Sequence, residues 1–180
     1  MALCLIILSV LVWQTALLLD RGLTPQPQNR IPATLLAALF GATLLSATLP
    51  PIDWDIETST ALPKTAFRAA HAISYIVIAA AVLGVGLWSN PDTAGATVLL
   101  RDLLGLCGSV LLVAAFVDSR LAWTPAFVYT SVALLAGHST SHIVTWMRND
   151  GDDRLSWLIA AVLVAVGLIV FILRGPKRVS

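Results

Sequence analysis

His138 and His142 lie four residues apart. On a helix that spacing stacks both imidazoles on one face, where they could share a metal ion. Arg148, Asp150, Asp152 and Asp153 follow closely, so carboxylates are at hand. The pair lacks the glutamate of H-E-x-x-H, and the one other histidine, His71, is distant in sequence. A zinc, copper or haem site here stands as the minor reading. The main reading is the polar side of a short interfacial helix, and no cofactor is expected.

Arg101 and Asp102 are adjacent within an apolar stretch. Ionisable groups in such a stretch are costly to keep, so each needs a reason. One is a buried ion pair at a helix–helix or subunit contact. The other is a snorkelling arginine beside a first-turn acid favoured by the helix dipole. Gly105 and Gly108 follow within two turns, with Cys107 and Ser109 beside them, a small-residue face suited to close helix packing.

A third group combines Asp53, Trp54, Asp55 and Glu57 with Lys64 and Arg68. Its mixed charges suit a partner surface and suit a solvated loop equally. The chain has no G-x-x-x-x-G-K-[ST] to cradle nucleotide phosphates, no G-x-S-x-G and no credible Ser/His/Asp set. No catalytic residue is assigned, and the chain is not read as an enzyme.

The elements that must position these residues follow from composition. Of 180 residues, 58% are hydrophobic and 12% charged, against about 25% charged in ordinary soluble domains. Mean hydropathy is +0.87. Too few polar residues remain to coat a globule of this size, which excludes a soluble enzyme, a secreted domain and a disordered linker. A net charge of +1 supplies no field for nucleic acid. The expected class is an all-α, polytopic integral membrane bundle forming one domain in contact with membrane lipid.

Crossing about 30 Å of hydrocarbon takes about 20 helical residues. Six stretches approach this, at 2–19, 33–49, 66–88, 96–117, 121–137 and 155–173. The first has no Lys or Arg before Arg21 and reads as a retained span rather than a signal peptide. Pro32 suits a first helical turn, and Pro50-Pro51 stops the second stretch. Asp118-Ser119-Arg120 is a tight link that makes the fourth and fifth stretches antiparallel neighbours. Trp54, Trp88, Trp123, Trp146 and Trp157 fall near span ends, where indoles favour the headgroup belt. Cys4 and Cys107 lie in apolar stretches and read as packing residues.

With cytoplasmic termini, the inside would carry Lys64, Arg68, Arg120, Arg174, Lys177 and Arg178, and the outside Arg21, Arg30, Arg101, Arg148 and Arg154. Six against five is no asymmetry, and the basic tail alone favours cytoplasmic termini in a cell membrane.

This layout resembles the membrane subunit of an ABC-2-type exporter, a six-helix permease with cytoplasmic termini. In that family the connection between helices two and three carries the contact to the ATPase. The connection between helices five and six forms short re-entrant helices. Here the polar interval Ile52 to Lys64 and the semi-polar piece His138 to Met147 occupy those positions. The resemblance covers the whole chain by architecture and rests on no diagnostic motif. Such permeases are longer and open with an amphipathic interfacial helix, a departure that suits a truncated permease or a small accessory subunit. The resemblance implies a separate ATPase and homo- or hetero-oligomeric membrane partners. The alternative is a non-catalytic scaffold or immunity-type protein.

Overall fold

A computed structural model describes residues 30–49, 64–88, 94–135, 146–149 and 151–176. Among these residues the chain is all-helical, with five α-helices and no strand. They are α1 (Arg30–Thr48), α2 (Lys64–Trp88), α3 (Ala94–Ala114), α4 (Thr124–Leu135) and α5 (Arg154–Arg174). The expected span at 2–19 lies outside the described residues.

Three segments are long and apolar enough to cross a membrane: Lys64–Gly84, Ala96–Ala114 and Arg154–Arg174. The bundle is therefore compatible with membrane insertion. The apolar part of α1, Thr34–Thr48, is shorter. At 12 residues, α4 extends about 18 Å.

α3 is the centre. Its Leu103, Leu106, Cys107, Val110, Leu111 and Ala114 are buried, and α1 and α5 make its main contacts. Tyr75 of α2 donates to the Gly41 carbonyl of α1 at 2.7 Å. Thr48 lies 3.3 Å from the His71 Nε2, which sets α1 and α2 antiparallel. α3 and α5 run in the same direction. The Arg101 end of α3 meets the turn before α5, Gly108 meets Leu163, Val164 and Gly167, and Phe116 meets Arg174. The end of α3 and the start of α5 therefore lie at opposite ends of the bundle, and α4 covers part of the distance between them.

Several boundaries differ from expectation. α3 stops at Ala114 rather than continuing to Val117, because the chain tightens and turns there: Ala115 and Phe116 N–H donate only three residues back, to the Leu112 and Val113 carbonyls, and Ser119–Leu121 forms a 3-10 turn. α4 starts at Thr124, three residues late, with Pro125 in its first turn, where no N–H is needed. Residues 136 and 137 of the expected fifth span lie outside the described residues. Trp146 is a correction. It is buried in the core rather than lodged at the headgroups, because α3 has a glycine, Gly105, under its ring.

Candidate functional site

The site is built around the second turn of α3. Arg101 and Asp102 are fully buried, each with 0% exposure, so Arg101 does not snorkel. Its Nε donates to Asp102 Oδ1 at 3.1 Å. The two terminal nitrogens reach across to the turn before α5. Nη2 donates to the Met147 carbonyl at 3.0 Å, and Nη1 to the Asn149 carbonyl at 3.1 Å. The Trp146 ring centroid lies 5.9 Å from the guanidinium carbon, a cation–π distance.

A charge taken out of water needs both a counter-charge and full hydrogen bonding. Arg101 has an acid and two carbonyls. Asp102 is less complete, for Oδ2 is buried with no hydrogen-bond partner. Tyr129 of α4 stacks on Trp146 at 6.2 Å between centroids and lies within electrostatic reach of Asp102.

Small residues give this arrangement its depth. A Cβ at Gly105 would run into the Trp146 ring. One at Gly108 would come within 2.5 Å of the Leu163 and Val164 backbone, and one at Gly167 would strike the Gly108 carbonyl. The α3 and α5 backbones touch there because neither carries a side chain.

The network continues into α5. Asn149 Nδ2 donates to Asp153 Oδ2 at 2.7 Å and to Ser156 Oγ at 3.1 Å. Asp153 is the N-cap of α5 and accepts from Leu155 N–H at 3.2 Å and from the Ser156 hydroxyl. The hydrogen bonds from Ser156 and Asn149 hold the Asp153 carboxyl below its usual range. Trp157 Nε1 donates to the Gly151 carbonyl at 2.8 Å. Arg101 is thus linked, through the Asn149 residue, to the first turn of α5.

The other anticipated residues are dispersed. Asp53, Trp54, Asp55 and Glu57 lie outside the described residues, as do His138 and His142. Lys64 is the exposed first residue of α2. The Arg68 guanidinium packs on Gly175, the positive-φ residue that closes α5 (φ 74°). His71 faces Thr48. Among the described residues no three His, Cys, Asp or Glu side chains gather as a metal site.

Sequence reasoning missed Asn149 and Ser156. A cap signal was available, since Asp153 stands two residues before the last apolar run. Nothing in the sequence marks the Met147 and Asn149 carbonyls as the partners of Arg101. Chemically the site can hold a charge and brace two parallel helices. Compared with family models, curated proteins and solved structures, the chain finds no match.

Proposed function

We propose that this chain is the permease or a small accessory subunit of an ABC-type export complex, with ATP hydrolysis supplied by a separate subunit. It crosses the cell membrane six times with both termini in the cytoplasm. The observation that carries the reading is the fully buried Arg101–Asp102 pair inside the apolar segment Ala96–Ala114. Charge kept at such a position is costly, and it marks helices whose relative placement matters to function. The parallel course of α3 and α5 supports a return crossing by the chain between them. In this reading the polar interval at 52–64 supplies the contact to the ATPase, with Asp53, Asp55 and Glu57 as its acidic residues.

The test is affinity purification of the tagged chain from its native membrane. The reading expects a nucleotide-hydrolysing subunit to accompany it. It also expects the D53N/D55N/E57Q variant to lose that subunit while keeping its thermal unfolding midpoint. Absence of any such subunit from a purification that retains the other membrane partners would overturn it.

A second reading, a non-catalytic membrane scaffold, is favoured by the backbone contact at Gly108 and Gly167, which locks α3 to α5. A scaffold would keep its partner when Asp53, Asp55 and Glu57 are neutralised and lose it when Gly105 or Gly108 is enlarged.

A further inference from the structure

The two ends of the bundle differ in chemistry. One end joins the start of α2, the end of α3, the 3-10 turn and the end of α5. It carries Lys64, Arg68 and Arg174, with Asp118 the one acid there among the described residues. Arg68 and Arg174 meet at a single turn, because the Arg68 guanidinium packs on Gly175, the residue after Arg174. The Arg174 guanidinium carbon sits 4.6 Å from the Phe116 ring centroid. Lys64 lies one helical turn from Arg68 and is exposed.

Beside these cations is a collar of exposed apolar side chains. Leu173 is 72% exposed, Leu121 51%, Phe67 49% and Phe116 48%. Cations immediately next to uncovered hydrocarbon, at the ends of membrane-length helices, match the boundary between acyl chains and phosphate headgroups. There, long basic side chains rest their stems on apolar surface and hold their heads at the phosphates.

We propose that this end of the bundle, through Lys64, Arg68 and Arg174, binds the phosphate headgroup of anionic phospholipids. The collar takes the first part of the acyl chains, and the basic groups take the phosphate. The face therefore selects phosphatidylglycerol-type lipid over zwitterionic lipid and turns this end toward the more anionic leaflet. The proposal needs membrane insertion but no ATPase, so it stands or falls separately from the export reading.

The test titrates the full-length purified chain with phosphatidylglycerol or with phosphatidylcholine of the same acyl chains, and counts retained lipids by native mass spectrometry. Phosphatidylglycerol should be retained in preference. Lys64→Gln and Arg174→Gln, both at exposed positions, should each lower that preference by about fivefold. Arg154→Gln, at the opposite end, should leave it unchanged. Salt near 1 M, where the screening length is about 3 Å, should abolish it in the unaltered chain. Inorganic phosphate at the same concentration should not displace the lipid. Equal retention of both lipids, preference surviving K64Q/R174Q, or displacement by phosphate alone would each overturn the proposal. So would a soluble acidic protein that occupies these two residues in place of lipid.

Discussion

The two ends of α5 are held by opposite strategies. At its start, charge is buried: Arg101 and Asp102 have no exposure, and hydrogen bonds run on through Asn149 to Asp153 and Ser156. At its finish, Arg174 is exposed over an aromatic ring, and Arg68 is half-buried, resting on Gly175 with its Nε shielded from water. Buried charges have few alternatives, so removing one partner alone is costly at the first end. Surface charges keep alternatives, so the second end is adaptable and suited to a changing partner such as lipid. One helix thus combines a fixed anchor and an adjustable contact.

The sharpest way to break this contrast is Asp102→Ala, which leaves the Arg101 guanidinium buried without its counter-charge. Thermal unfolding in detergent should show a loss of about 3–5 kcal/mol. The double variant Arg101→Met/Asp102→Leu should recover most of that loss, because apolar replacements need no counter-charge. If the pair serves export, this double variant folds and fails in transport. Next in size is Gly108→Ala, whose methyl meets the α5 backbone rather than a side chain that could move aside. It should cost about 1–3 kcal/mol in the same measurement.

At the adaptable end, Arg174→Ala should cost only about 0.5–1 kcal/mol, the scale of an exposed cation–π contact. The subtlest effect concerns pH. The Asp153 carboxyl is held below its ordinary value of 3.8 by Ser156 and Asn149. Its contribution is therefore complete above that value and is lost as pH falls through the lowered folded one. Hydrogen exchange of the first-turn amides of α5 should show protection falling over that acidic window. Asp153→Asn should remove this step while leaving the C-terminal turn unchanged.

Much of the architecture is legible in the residues. Apolar runs separated by proline and charge locate α1, α2 and α5 within three residues at either end, because length and polarity dominate where a helix must sit in hydrocarbon. The end of α3 was less legible: residues 115–117 are as apolar as a helix interior, and only the turn hydrogen bonds distinguish them. Trp146 escaped for a similar reason. An indole near a span end is ordinarily an interfacial group, and only the space above Gly105 makes the core its place. The chemistry at Arg101 was half legible. Adjacency to Asp102 announces a pair, while backbone carbonyls some 46 and 48 residues away have no residue type to give them away.

The account rests on helices that carry the two ends of α5 to opposite sides of a membrane. Its most direct test labels Lys64→Cys and Asp152→Cys separately, in a chain with Cys4 and Cys107 replaced by alanine. Sealed vesicles of known orientation are treated with a membrane-impermeant maleimide from one face at a time. Both positions are exposed, at opposite ends of the bundle, and the account predicts that each reacts from one face only, the two from opposite faces. Reaction of both from the same face would contradict it.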